Sequence, residues 1–504
     1  MMMKTIDDNP YIEERAKEII ALFDYYYTQK DISHIRENID VAKSLISNLD
    51  IDISKIHIYY SIATAYGDIL SINPEDYSEE SIIGQLYNFR MAIDLFNSCN
   101  FTDDEMKHVT GCLIQIYTNY ANALSSAGRI IEAIRFYKKA LKIHNDFGMA
   151  EGNLGICYMS YAQLDFDKGY SQIFHYCAYK YLKSAISHKD TIVEQSAIEY
   201  FEEQIAIFSN EYIEEFLEKE LEINEYSLGN QKESNYRNWV MKNGLFLNTM
   251  NDLPFVESFI AADTLQLPSI IRKITDGIDY KYHGLFNQIK QEFITARYFI
   301  FEALQGGSKS HFADKDIHLI NTLDYTIHSI RIEKMKLAFR TLYSLYDKIA
   351  YFINDYFELG MQPRNVSYNK IWRNDSKQIL LSKNNWILNG LYWISKEFFE
   401  RGDTSYNTIK PRAKLIYEIR QALEHRYMKI TEYDMGDSRK DSLALYVPYR
   451  EFEQETLELT WLVRESIIYL SLAVHLNERL KRSKLPNSVC PSMPLFEFND
   501  EWKI

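Results

Sequence analysis

Apolar residues recur at every third or fourth position through most of this chain, the period of helices that bury one face. Only 18 Gly and 10 Pro interrupt its 504 residues, so long unbroken elements are expected. Three such patterns stand out near the C-terminal end. Residues 337–356 place Phe339, Leu342, Leu345, Ile349 and Phe352 on one face, while 386–399 and 457–480 are further apolar stretches. Between the last two, Ile416, Ile419, Leu423 and Tyr427 recur at helical spacing. They predict a helix that turns all four toward a core, with Pro411 in its first turn. Four amphipathic helices of this kind predict a bundle.

The N-terminal half carries a longer period. Residues 121–143 place small side chains where two helices must approach, with Gly128 at the turn between them. Ala123, Gly128, Ala133, Tyr137 and Ala140 mark this unit, and Asn153-Leu154-Gly155-Ile156-Cys157-Tyr158 restarts its first helix 34 residues after Asn119. The second copy's partner helix is expected at 179–186, displaced by an insertion containing 165–171. Residues 59–67 and 88–96 read as a more degenerate copy, split by a polar loop around Asn73-Pro74-Glu75-Asp76. This pattern resembles the tetratricopeptide repeat. The resemblance implies three or four stacked helix pairs whose groove takes a peptide, a protein partner or the same chain's effector domain.

From about residue 224 to 304 the text turns aromatic and polar without periodicity, as in Tyr236-Arg237-Asn238-Trp239 and Asn251-Asp252-Leu253-Pro254. Its Asn and Asp residues read as turn formers. The expected organisation is all-α: tetratricopeptide-like repeats over 1–220, a connector over 221–305, and a helical bundle over 306–504, opened by a flexible Gln305-Gly306-Gly307-Ser308-Lys309-Ser310.

Composition narrows the function classes. A net charge of −15 has the wrong sign for a protein that coats nucleic acid without selectivity. Any contact with phosphate must be local, and basic residues do gather at Arg412, Lys414, Arg420 and Arg426 and again at Arg479, Lys481, Arg482 and Lys484. Cys99, Cys112, Cys157, Cys177 and Cys490 form no C-x-x-C pair, which suits a reducing cytosol and argues against a disulfide scaffold. The amino terminus lacks an apolar signal core, and runs such as 467–474 are too short to span a bilayer, so no membrane partner and a cytoplasmic location are expected. His311, His318 and His328 with Asp314, Asp316 and Asp324 match no metal-ligand spacing. With no phosphate-binding glycine loop, nucleophile elbow or His-Glu-x-x-His, neither metal nor cofactor is expected.

The chemistry concentrates in Arg420-Gln421-Ala422-Leu423-Glu424-His425-Arg426-Tyr427. Arg420 and His425 lie five residues apart, about 140° around a helix axis, so they flank the apolar stripe rather than stack. One helix does not close them on one phosphate, whereas two facing helices would. Taken alone, Arg420 reads first as a solvated charge on an amphipathic helix and His425 as a satisfied core or surface histidine. Together the residue types suit cleavage of RNA without a metal. Imidazole takes or gives a proton near neutrality, and the planar guanidinium matches phosphate oxygens as negative charge builds.

This octapeptide resembles the Arg-x4-His-x-Tyr signature of the HEPN family, all-helical domains many of which are metal-independent ribonucleases or toxins with an active site where two domains meet. The resemblance covers roughly 310–485. It implies Arg420 and His425 as catalytic residues, RNA as substrate, and a homodimer or higher oligomer formed through the bundle. The implied products are a 2′,3′-cyclic phosphate and a 5′-hydroxyl, in an antiviral defence or toxin role regulated through the repeats. Gln421 departs from the Asn or other small polar residue that many members carry there. Glu424 reads as an orienting group or an exposed charge, and Arg426 and Arg412 as RNA-backbone contacts or solvated charges. Tyr427 matches the tyrosine that a subset of the family offers for nucleotide transfer, or is a packed aromatic. The competing reading is a noncatalytic adaptor whose repeats bind a partner and whose bundle only dimerises.

Overall fold

The computed structural model describes residues 6–75, 78–212, 214–221, 224–255, 257–272, 279–305, 310–399, 408–434, 436, 441–485 and 495–503. Asp76, the glycine-rich stretch 306–309 and Cys490 lie outside the described residues.

The N-terminal half is a series of helical hairpins: α1 (Glu14–Thr28) with α2 (Ile32–Ile46), α3 (Asp52–Ile72) with α4 (Glu79–Ser98), α5 (Asp103–Ser126) with α6 (Ile130–Ile143), and α7 (Gly148–Leu164) with α8 (Lys168–Ser187). The short turns set this geometry. Gly128 takes φ +79° between α5 and α6, a conformation that costs glycine little, and the Arg129 amide caps the Leu124 carbonyl at 2.8 Å. The 34-residue spacing has a physical counterpart. Asn119 on α5 donates to the Tyr60 hydroxyl on α3 at 2.9 Å, and Asn153 on α7 donates to Asn122 on α5 at 2.9 Å. Equivalent asparagines thus tie each first helix to the one before it. Helix α8 begins at Lys168, because the Asp167 side chain caps it by accepting from the Tyr170 amide at 3.0 Å. Residues 165–171 are therefore a turn and a first helical turn, not an insertion, and the partner helix is longer than 179–186. Helices α9 (Gln195–Glu211) and α10 (Glu214–Glu218) pack on α8.

After α11 (Gln231–Lys242), the stretch 245–253 is buried rather than looped out. Asn248 and Asn251 do serve the local turn, accepting from the Met250 and Phe246 amides. Asp252 does more: it binds Arg464, far along the chain, at 2.7 and 3.2 Å, and accepts from Tyr161 at 3.0 Å. Lys138 on α6 donates to the Asp252 and Leu253 carbonyls at 2.6 and 2.8 Å. The connector is a wedge between the hairpins and the C-terminal helices, and this part of the repeat surface is occupied by the chain itself.

The C-terminal half contains α12 (Lys281–Gln305), α13 (Ile330–Tyr356), α14 (Asn374–Leu381), α15 (Ile387–Ser395), α16 (Ala413–His425) and α17 (Tyr449–Ser483). Helix α12 packs along α13, so the sequence-based boundary at 306 runs between two helices that share one interface. Phe339, Leu342, Leu345, Ile349 and Phe352 of α13 are all fully buried, each stabilising the bundle by about 1.5–3 kcal/mol. Helix α17, about 52 Å long, is the central post. It is long and apolar enough to cross a membrane by composition, but 83% of its most apolar window is buried inside the protein.

Sequence periodicity did not show β1 (Tyr427–Thr431) and β2 (Ala444–Pro448), a parallel two-stranded ribbon that Thr326 joins by a single bridge to Thr431. Met428, Ile430 and Val447 face the core. Between them Lys429 is held by Asp324 at 2.6 Å, Asp441 at 2.8 Å and Tyr446 at 3.2 Å. The two carboxylates raise the Lys429 ammonium, and Lys429 in turn lowers Asp324. Asp324 is thus a structural ion-pair partner.

Hairpins and bundle meet over a desolvated seam. Gly390 on α15 lies so close to Gly128 that an added Cβ would stand 2.7 Å from the Gly128 carbonyl oxygen. Beside it, Arg129 contacts Glu132 and Glu397, and Arg90 reaches Glu397 at 2.7 and 2.8 Å and Glu132 at 3.0 Å. Glu465 on α17 completes the cluster. Its Oε2 has no hydrogen-bond partner among the described residues, and burial, against the pull of Arg135, pushes its carboxyl up to about 7.

Candidate functional site

Helix α16 is fixed by Ile416, Ile419 and Ala422, which are buried, while Leu415 and Leu423 pack partly against the same core. It ends at His425 because Arg426 turns extended (φ −136°, ψ −156°) and the chain enters β1. Tyr427 therefore does not continue the apolar face, as its spacing predicts. It opens the strand and is 47% exposed, with the Lys429 ammonium 5.3 Å from its ring. Pro411 precedes the Arg412 N-cap instead of occupying the first turn.

The sequence-predicted residues divide into three places. Arg420 is half-buried, its guanidinium 5.2 Å from the Tyr343 ring centroid on α13, and among the described residues it forms no ion pair or hydrogen bond. His425 is exposed at the helix end, also without a hydrogen-bond or ion-pair partner among the described residues. The rise between them is about 7.5 Å along the axis, so one protomer does not bring them together. Gln421 is half-buried beside Arg420, and Arg426 is exposed. Glu424 is not simply a solvated charge, since Arg340 on α13 donates to it at 3.2 and 3.4 Å. Arg412 does not join His425: it sits at the opposite end of α16, about 20 Å away along the axis, and pairs with Glu451 at 2.8 Å.

Arg420 opens onto a cleft of about 300 Å3 that sequence reasoning missed. Tyr343 and Asp347 of α13, Asn369, Phe399 and Tyr417 line it with Arg420. Asp347 accepts from the Tyr368 amide at 3.2 Å. Desolvation raises its carboxyl above the ordinary value, opposed by that amide and by the Arg420 cation. Tyr417 lies three residues before Arg420 on the same helix, so helical spacing alone would place it beside the motif. Asn369 and Phe399 reach the cleft from distant segments that carry no local signal. Among the described residues, no group of three or more His, Cys, Asp or Glu could hold a metal ion.

Residues 275–477 match the family model described as LA2681-like HEPN. The match spans α13 to α16 entirely, most of α17 and all of α12, so α12 belongs with the bundle. No curated protein and no solved structure matches the chain. HEPN domains include ribonucleases and commonly bind RNA and dimerise. Residues 275–477 therefore belong to the LA2681-like HEPN family.

Proposed function

We propose that this protein is a metal-independent endoribonuclease that acts as a homodimer, with Arg420 and His425 of two HEPN domains set around one RNA phosphate. The observation that carries this reading is the state of the two side chains. In a protein whose buried cations are ion-paired throughout the seam, Arg420 and His425 are both reachable and, among the described residues, make no hydrogen bond or ion pair, Arg420 resting only on the Tyr343 ring. In the reaction, a base takes the proton of a ribose 2′-hydroxyl, whose oxygen attacks the adjacent phosphorus. The 5′-oxygen leaves with a proton from an acid, giving a 2′,3′-cyclic phosphate and a 5′-hydroxyl. His425 supplies the proton transfers and Arg420 the charge on the phosphoryl oxygens. One histidine from each protomer provides base and acid together.

The role is that of a cytoplasmic defence or toxin effector whose repeats govern it. Tyr427, with its exposed ring at the motif's end, is available to a modifying partner that silences the enzyme. Purified protein incubated with RNA and EDTA is expected to leave cyclic-phosphate ends. His425→Ala lowers the rate about 10²–10⁴-fold, the usual contribution of a general acid or base, and Arg420→Ala abolishes cleavage, both with unchanged circular dichroism. Undiminished cleavage by both variants refutes the site.

A further inference from the structure

The cleft beside Arg420 has walls of one kind and loose ends of another. Tyr343, Phe399 and Tyr417 present aromatic rings that are only partly buried. Three polar groups of different character enter the same space without being used. Asp347 Oδ2 has no hydrogen-bond partner among the described residues, the Asn369 amide has none, and Arg420 rests on Tyr343 without an ion pair. Arg464 and Arg129, in contrast, reach carboxylates 212 and 268 residues away. A cleft lined by aromatic rings, with a carboxylate oxygen free of protein partners among the described residues, an amide and a cation at its rim, suits a flat, polar-edged ring attached to an anion.

We infer that this cleft binds one unpaired nucleobase of the RNA substrate, guanine in preference to the others. The inference rests on the ribonuclease reading for its substrate, not for its chemistry. Bases stack on tyrosine and phenylalanine with little regard to sequence, so the rings supply affinity. Selectivity comes from the edge. A carboxylate only accepts, and guanine offers it N1–H and N2–H donors side by side, whereas adenine and cytosine offer a single amino group and uracil one imino hydrogen. The Asn369 amide can donate to the O6 acceptor. Arg420 then stands where the nucleotide's phosphate leaves the slot, which links the base site to the residue that steadies the scissile group. The carboxylate is also what excludes a wrong base: an acceptor edge turned toward Asp347 meets repulsion.

The test separates this inference from the nuclease reading. Full-length protein is titrated with 5′-GMP, 5′-AMP, 5′-CMP and 5′-UMP by calorimetry, which needs no cleavage. Saturable binding with GMP tightest is expected. Tyr417→Ala weakens GMP about 10- to 100-fold, Tyr417→Phe keeps the ring and restores it, and Asp347→Asn, an exposed substitution that leaves the core intact, removes the preference for GMP over AMP. Absence of saturable nucleotide binding, or binding that none of the variants alters, overturns the base site. GMP binding by a protein that cuts no RNA upholds the base site while sinking the nuclease; cleavage without base preference does the reverse.

Discussion

Replacing Arg464 by Met tests whether the connector is a structural wedge. Arg464 is 2% exposed and donates to the Asp252 carboxylate at 2.7 and 3.2 Å, to the Phe246 carbonyl at 2.7 Å and to the Asn248 carbonyl at 3.1 Å. Methionine has similar reach and no charge, so among the described residues it leaves the buried Asp252 carboxylate with the Tyr161 hydroxyl as its one hydrogen-bond donor and with Lys138 near its backbone. Breaking a buried pair from one side costs about 3–5 kcal/mol, and the orphaned Phe246 carbonyl adds roughly 1 kcal/mol while the Asn248 carbonyl keeps the Asn251 amide, for a total of about 4–6 kcal/mol. The companion change Asp252→Leu removes the stranded charge. The double variant is therefore expected to recover about 3 kcal/mol relative to the sum of the single changes. Urea unfolding followed by far-ultraviolet circular dichroism measures both, with limited proteolysis of the connector as a second readout. A cost below about 1 kcal/mol for Arg464→Met, or strict additivity in the double variant, refutes the wedge.

Two further outcomes concern the seam. Because Glu465 is raised from an ordinary value of 4.5 to about 7, its contribution to stability is complete below pH 4.5 and is lost as pH rises toward 7, by roughly 3 kcal/mol. Glu465→Gln removes that loss, so the wild-type and variant urea midpoints diverge between pH 5 and 8; parallel curves contradict the assignment. Gly390→Ala drives a methyl into the Gly128 carbonyl and is expected to cost about 1–3 kcal/mol by thermal unfolding, with no loss meaning that hairpin and bundle separate freely there.

What the sequence showed and what it hid reflect the range of the forces involved. The α13 face was legible because a 3.6-residue period is a local property, and all five of its predicted core residues are buried. Asn119 and Asn153 were legible as a repeat because each ties its helix to the first helix of the preceding hairpin, Asn119 through Tyr60 and Asn153 through Asn122. Tyr427 misled because its position fits the helix period, while the extended form wins through pairing with residues 444–448. Asp252 read as a turn former because its partner, Arg464, is 212 residues away. In the candidate site, spacing and residue type single out the proposed Arg420 and His425. The Asp347, Asn369 and Phe399 side of the cleft is assembled by tertiary packing alone.

The seam also constrains how a signal at the repeats could reach the motif. Arg129, Glu132, Glu397, Glu465, Arg464 and Asp252 are all buried there, and the Tyr469 hydroxyl of α17 holds the Ile131 amide of α6 at 2.9 Å. Undocking the hairpins would strand several of these charges at several kilocalories per mole each, while a ligand shifts a conformational equilibrium only by the difference in its affinity for the two states. A full population switch already demands about 5.5 kcal/mol of differential binding. Detachment of the repeats is thus too unfavourable a switch for one bound trigger. His425 and Arg420, by contrast, lie at an exposed helix end and in an open cleft, where on the proposed reading a second protomer would complete the site without breaking the seam. On the function proposed above, control through the hairpins would act on assembly or on access to the motif, and a trigger is expected to change the oligomeric state seen by light scattering while leaving the protease resistance of the connector intact.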